Sequence, residues 1–264
     1  MQSHKISIND YVLLAGCRIE DIVKFPMRPF SSLVINFLGE LSKALLSDRE
    51  CRKYPDVISF AFWSRPASLN QKYKELSLPQ YSIGRGLALH IAPSNVPVNF
   101  AYSFVFGILS GNANLVRTPE TKYKQTQIIL KHINLQLNKT KYKDLKNKNS
   151  FFRYERNDKI NHFLSSQSDC RLIWGGDQTV SYFKSIPTKP RNIDLCFADR
   201  YSITMFAAKE ILLLDDLELS KLCQNFYNDN FLFHQFACSS SHLINWHGSK
   251  KDIKSARQKF WPEM

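Results

Sequence analysis

Six cysteines, at positions 17, 51, 170, 196, 223 and 238, are the side chains of this 264-residue sequence best suited to nucleophilic chemistry. A thiolate is both a strong nucleophile and a good leaving group. None of the six forms a C-x-x-C pair or lies at finger spacing from a histidine pair, so the pattern argues against zinc and assigns no metal ligands. The scatter does not read as a disulfide framework, which points to a reducing compartment. The second chemical signature is Gly175-Gly176, between the apolar run Cys170 to Trp174 and a helical pattern. Such a turn can receive a phosphate, because the first N–H groups of a helix are free and sit at the positive end of its dipole. Tight strand–helix packing explains the same glycines equally well. No Gly-x-Gly-x-x-Gly follows any strand, so the usual dinucleotide fingerprint is absent.

An α/β framework is expected to hold these residues. Leu87 to Ala92 is a short apolar run closed by Pro93, as in a buried strand, and Val98 to Ser110 reads as a buried helix. Asn114 to Arg117 is a second strand, and Glu120 to Leu137 resumes helical periodicity. This strand–helix–strand–helix order predicts a parallel sheet with helices packed on it. Further on, Cys170 to Trp174, Ile193 to Phe197 and Ser202 to Phe206 read as strands, and Asp177 to Ser185 and Leu212 to Phe226 as helices. Ser31 to Leu46 has the spacing of an amphipathic helix, and the tract Lys139 to Asn149 reads as a loop.

The composition is that of a globular protein, 44% hydrophobic and 22% charged. Its 19 phenylalanines suit a bulky core or an apolar channel. The net charge of +13 favours a polyanionic partner, whether nucleic acid, anionic membrane or a phosphate-bearing cofactor. Much of the excess lies between Lys122 and Lys159, a run best read as solvated surface although aromatic residues interleave it. The sequence Met1 to Ser7 lacks the apolar core of a secretory leader. The most apolar stretch, Val96 to Leu109, is shorter than a membrane span needs. A cytoplasmic location without a membrane span is the expectation.

Several segments together carry a resemblance. Gly86 to Phe100 (GLALHIAPSNVPVNF), continuing through Ser110 to Asn114, is similar to the long-chain acyl-CoA reductase family, which includes the luciferase-linked fatty acid reductases of luminous bacteria. Ile173 to Asp177 (IWGGD) and Phe236 to Ser240 (FACSS) resemble two further segments of that family, in the same order. The family is a branch of the aldehyde dehydrogenase superfamily. The resemblance implies an aldehyde-dehydrogenase-like parallel sheet with flanking helices, whose cofactor domain works without the glycine fingerprint. Residues 1–210 would be a nicotinamide-binding α/β domain with an N-terminal helical region, and 211–264 the start of the catalytic domain.

By the same resemblance Cys238 is the nucleophile, and Asn95 donates its side-chain amide to the oxyanion beside the backbone N–H of Cys238. Arg117 and Glu120 fall near the adenosine ribose, where an arginine can pair with a 2′-phosphate and favour NADPH, and Gly175 and Gly176 lie under the pyrophosphate. The implied reaction reduces an acyl-CoA or acyl-protein thioester to a fatty aldehyde, with an acyl-protein synthetase as partner and homo-oligomers left open. Two departures stand out: no evident counterpart of the oxidising relatives' glutamate base occurs near Ile193 to Asp199, and Gln235 lies three residues before Cys238, where those relatives have two. Family members continue well past the nucleophile, whereas this sequence stops at Met264, so an incomplete catalytic domain is expected. The competing expectations are an inactive cofactor-binding or scaffolding member of the family and, last, a basic nucleic-acid-binding protein.

Overall fold

The chain alternates strands with helices, and the computed structural model describes residues 10–231, 235 and 237–264 of it. Met1 to Ser7, read above for a leader, and Phe236 of the cysteine motif lie outside the described residues. The chain divides into two compact units, Met1–Ala198 and Asp199–Met264. In the first, β1 (Val12–Gly16) precedes three helices, α1 (Ser32–Ser47), α2 (Pro55–Trp63) and α3 (Pro66–Leu76). Then come β2 (Leu87–Ile91), α4 (Asn99–Leu109), β3 (Ala113–Arg117), α5 (Lys124–Leu137), the short α6 (Lys143–Lys146) and β4 (Asn149–Arg153). The unit closes with α7 (Asp158–Gln167), β5 (Cys170–Trp174), α8 (Asp177–Ser185) and β6 (Ile193–Phe197).

These strands form one sheet in the order β1-β4-β3-β2-β5-β6, in which every neighbouring pair is parallel except β1 with β4. Strands covered on both faces must be apolar almost throughout. All five residues of β2 are buried, as are the first four of β3, β4 and β5. One face packs on α7 and α8 through Leu89, Leu115, Phe152, Ile160 and Phe183. The other carries α4, whose side chains are nearly all buried.

That second face also buries polar groups, joined in a single chain. Trp174 Nε1 donates to Ser103 Oγ (3.1 Å), which faces His90 Nδ1 (2.8 Å). His90 Nε2 faces Asn114 Oδ1 (3.0 Å), and Asn114 Nδ2 donates to Asn149 Oδ1 (2.7 Å) and to the Asn112 carbonyl (2.9 Å). Asn149 Nδ2 in turn donates to the Leu145 carbonyl (2.6 Å). Since the Asn114 amide nitrogen serves two oxygens, its own oxygen faces His90, and the proton of the neutral imidazole sits on Nε2. Every donor then points the same way, from β5 through α4, β2 and β3 to β4. Gly107 makes the room: a Cβ there would lie 2.1 Å from Asn114 Oδ1 and 2.7 Å from the His90 ring.

The second unit begins with β7 (Ser202–Ala207), α9 (Ala208–Leu213) and α10 (Asp216–Asn230), and ends with β8 (Ser241–His247) and α11 (Lys250–Phe260). β7 and β8 pair in parallel, and Phe206, Phe226 and Phe260 meet in its core. No helix among the described residues is long and apolar enough to cross a membrane.

Three sequence expectations shift. The helix expected from Glu120 begins only at Lys124, because Glu120 turns back to Arg117. The helix expected over Leu212 to Phe226 is two, since Asp215 and Glu218 cap each other reciprocally and open a new helix. The tract Lys139 to Asn149 is more ordered than a loop: Tyr142 and Leu145 are fully buried, the segment holds a short 3-10 turn and α6, and Asn149 starts β4.

Burial pulls the His90 pKa down to about 4, so the folded protein keeps the ring neutral. In the unfolded chain it takes a proton near its ordinary value of about 6.5. The unfolded state therefore binds more protons between about pH 6.5 and pH 4, and stability falls as the pH drops through that window, by roughly 3 kcal/mol at most. A His90→Asn variant should lose less stability than the parent between neutral pH and that acid limit, read from urea-unfolding midpoints. Equal losses would exclude the neutral ring as the source.

Candidate cofactor face and candidate nucleophile

In the first unit β2, β3 and β4 step outward in one direction, and the chain then crosses back to place β5 and β6 on the other side of β2. Ligands of open parallel sheets bind outside the carboxyl ends of the strands, at the point where the order reverses. Here those ends are Ile91, which pairs with both Arg117 and Ile173 in register, and Trp174. Asn95, Arg117, Glu120, Gly175 and Gly176 all lie at or just beyond these ends.

Asn95 is exposed in the loop after β2. That loop is tied down on both sides, by the Tyr123 hydroxyl donating to the Ser94 carbonyl and the Thr126 hydroxyl donating to the Pro97 carbonyl, both at 2.7 Å. Arg117 ends β3 with its side chain only 16% exposed. It donates from Nη2 to Glu120 Oε1 (2.6 Å), and its guanidinium lies over the Tyr154 ring, 4.7 Å from the centroid. Burial holds the Tyr154 phenol protonated well above its usual range, and its hydroxyl donates to Asn161 Oδ1 (2.6 Å). Asn161 Nδ2 donates to the Tyr182 hydroxyl (3.1 Å), which donates to Asp158 (2.6 Å).

A cavity of about 210 Å³ opens here, lined by Arg117, Glu120, Arg156, Asn161, Gln178 and Tyr182 among others. The structure thus gathers Arg117 and Glu120 with the first turn of α8. Arg117 Nε is buried and has no partner among the described residues. The two glycines do different things. A Cβ on Gly175 would sit 3.0 Å from Thr179, so this glycine permits close strand–helix packing, whereas a Cβ on Gly176 would meet nothing within 4 Å. The space before α8 is open, and no side chain caps that helix. An orphaned guanidinium nitrogen, a second arginine and open helix N–H groups fit a phosphorylated nucleotide. Sequence assigned no cofactor role to Tyr154, Arg156, Asn161 or Tyr182: the first two belong to the basic stretch that reads as solvated surface, and the others lie on α7 and α8.

β6 carries a single carboxylate, Asp194. Arg171, itself 1% exposed, holds it with two hydrogen bonds (2.8 and 2.5 Å), and Asn192 donates a third (2.7 Å). Partial burial raises its pKa, but the Arg171 and Asn192 bonds outweigh this and keep it below the ordinary aspartate value. A carboxylate held this way is a poor base.

Cys238 belongs to the second unit and is the one exposed cysteine of the six. Burial, above all, pushes Cys17, Cys51 and Cys170 up to about 11 and raises Cys223. The turn bearing Cys238 is pinned at several points. The Ser202 hydroxyl donates to the Cys238 carbonyl (2.7 Å), and the Ser240 N–H to the Ala237 carbonyl (2.9 Å). Asn230, at the end of α10 and 2% exposed, accepts the Ser241 N–H on Oδ1 (2.6 Å) and donates to the Phe226 carbonyl (2.8 Å).

Comparison with known proteins bears on the family and the fold. A family model described as acyl-CoA reductase (LuxC) matches residues 46–260. No curated protein matches the chain at a significant level. Among solved structures, a salicylaldehyde dehydrogenase from Pseudomonas putida G7, complexed with salicylaldehyde, is similar with a TM-score of 0.58 and 14% identity, over 88% of this chain and 51% of that one. An NADP-dependent glyceraldehyde-3-phosphate dehydrogenase from Bacillus halodurans C-125, complexed with NADP, gives 0.57 and 15%, over 89% and 52%. An aldehyde dehydrogenase from Bartonella henselae gives 0.57 and 12%, over 86% and 51%. The fold is therefore that of aldehyde dehydrogenases, and the chain spans about half the length of these structures.

Replacing Asn230 by Ala leaves the Ser241 N–H without its acceptor beside the cysteine turn. The second unit should lose about 1–3 kcal/mol, and amide exchange at Ser241 should speed up before that of β7. Unchanged exchange at Ser241 would show that Asn230 does not hold the turn.

Proposed function

Because the chain belongs to the acyl-CoA reductase (LuxC) family, we propose that it serves in the NADPH-dependent reduction of a long-chain acyl thioester to a fatty aldehyde, through an acyl-enzyme on Cys238. The observation that carries this reading is the exposed thiol of Cys238, on its pinned turn, in a chain matched by that family over residues 46–260. In this reading the first unit is the nicotinamide-binding part and the second carries the nucleophile.

The Cys238 thiolate adds to the thioester carbonyl, and the carbonyl electrons move onto oxygen. Asn95 and the Cys238 backbone N–H are the proposed donors to that oxyanion, and one such donor is worth roughly 3–4 kcal/mol of barrier. Collapse breaks the carbon–sulfur bond to CoA, which leaves as a thiolate, and the acyl group stays on Cys238. NADPH, when bound, supplies the hydride. Hydride addition leaves a hemithioacetal alkoxide on Cys238, which re-forms the carbonyl, breaks the carbon–sulfur bond and releases free aldehyde and the Cys238 thiolate.

Arg117 and Arg156 are the residues proposed to hold the 2′-phosphate, Glu120 a ribose hydroxyl, and the open turn at Gly176 the pyrophosphate, with Gly175 letting the strand and helix close beneath it. Two guanidiniums at one cavity support NADPH over NADH. The engagement of Asp194 by Arg171 supports reduction over hydrolysis, because water then lacks a base on β6. An acyl-protein synthetase delivering the acyl group is the partner this reading implies.

Incubation with a long-chain acyl-CoA should add the mass of one acyl group, absent in Cys238→Ala and discharged by NADPH. An adduct that persists in Cys238→Ala, or none on folded parent protein, would sink the assignment. Arg117→Ala should weaken NADPH binding at least about tenfold and NADH binding much less, followed by quenching of tryptophan fluorescence. Equal losses for both would remove the 2′-phosphate from Arg117.

A further inference from the structure

Three ligand-type side chains outside the cavity of Arg117 and Arg156 meet at the C-terminal end of α1. Asp48 caps that helix, Cys51 opens the 3-10 turn that follows, and His132 comes from α5. His132 Nε2 lies 2.9 Å from Asp48 Oδ2, while Asp48 Oδ1 accepts the Glu50 N–H at 2.8 Å. A ring nitrogen of His132, a carboxylate oxygen of Asp48 and Sγ of Cys51 lie within 4.8 Å of one another. Cys51 is fully buried and His132 8% exposed, whereas the Asp48 side chain is 23% exposed and opens the group to water.

We propose that Asp48, Cys51 and His132 form a binding site for a divalent transition metal of the zinc class, with water as the fourth ligand. Thiolate, imidazole and carboxylate are together the donor set such ions take. Ligand atoms around a tetrahedral zinc stand roughly 3.3–3.6 Å apart, which follows from bond lengths of about 2.0–2.3 Å. Small side-chain movements bring the three to that spacing. One carboxylate and one thiolate balance the two positive charges, and the thiol proton leaves to solvent as the metal–sulfur bond forms. Nearby, Glu50 is engaged by Lys124 at 3.3 Å, so the three central groups carry the site themselves. The His132–Asp48 hydrogen bond involves two of these groups and makes no use of the third, the buried Cys51 thiol. The ion ties the end of α1 and the turn after it to α5, so its binding stabilises the first unit. The site does not depend on the reductase reading.

The test uses the full chain carrying Cys238→Ser, which removes the exposed thiol, stripped of metal with a chelator. Co²⁺ should bind at one per chain with thiolate-to-cobalt charge-transfer absorption, Zn²⁺ should displace it, and either ion should raise the thermal midpoint. Cys51→Ser should abolish the charge-transfer band and weaken binding at least about tenfold. His132→Gln should weaken binding similarly while the band survives at saturating Co²⁺. Absence of the band in the parent, or its persistence in folded Cys51→Ser, overturns the proposal. Should Cys51→Ser fail to fold, undiminished Co²⁺ affinity in His132→Gln overturns it instead.

Discussion

The hydrogen-bond chain from the half-buried Trp174 through Ser103, His90 and Asn114 to Asn149 crosses four neighbouring strands and one helix, and from Ser103 onward its members are buried. Burying so many polar atoms is tolerable only if each finds its partner, since an unsatisfied one costs about 1–3 kcal/mol. The requirement sets the register of β4, β3, β2 and β5 and the position of α4, and admits only glycine at position 107. Hydrophobic packing alone would tolerate small slides between these elements; the directed chain does not. Trp174, its donor end, is also the last residue before Gly175, so the same network orients the turn at which β5 delivers α8.

The sheet order then decides where a ligand can sit. With β2 at the centre and the chain reversing beside it, the carboxyl ends of β2, β3 and β5 lie side by side, with Arg117 ending β3 and the open turn at Gly176 following β5. Arg117 is largely withdrawn from water, stacked on Tyr154 and paired with Glu120, which leaves its Nε unmatched among the described residues. A preorganised guanidinium of this kind loses little entropy on meeting a phosphate. The open turn at Gly176 needs no glycine-rich fingerprint, because the strand and helix are brought close by the neighbouring glycine instead.

The basic stretch from Lys122 to Lys159 has a structural use that its charge alone does not show. Lys139 and Lys141 both reach Glu40 on α1, Lys124 reaches Glu50, and Lys148 donates to the Phe25 carbonyl. Exposed pairs of this kind contribute little energy singly. They nonetheless join α5 and the segment after it to the N-terminal helices. Arg156, from the same stretch, lines the cavity beside Arg117.

Much of this architecture was legible in the residues. The runs Leu87 to Ala92, Asn114 to Arg117 and Cys170 to Trp174 are apolar because strands covered on both faces must be, so the parallel sheet and its helices were readable, and motif resemblance named the family that the family match bears out. The capping pattern of Asp215 and Glu218, which divides one expected helix into two, was also present in the sequence and decodable. β4 escaped because its apolar part is only Phe151-Phe152, set between polar residues and the charges of Lys148 and Arg153, and charge masked the strand. Other features have no local signal at all. The cavity joins Arg117 to Arg156, Asn161 and Tyr182, and the cluster at the end of α1 joins Asp48 and Cys51 to His132. Residues that meet only through a crossover or a packed helix leave no periodicity to read. Residue types and short-range patterns thus determined the layers and the candidate chemistry, whereas the three-dimensional packing alone decided which side chains share a site.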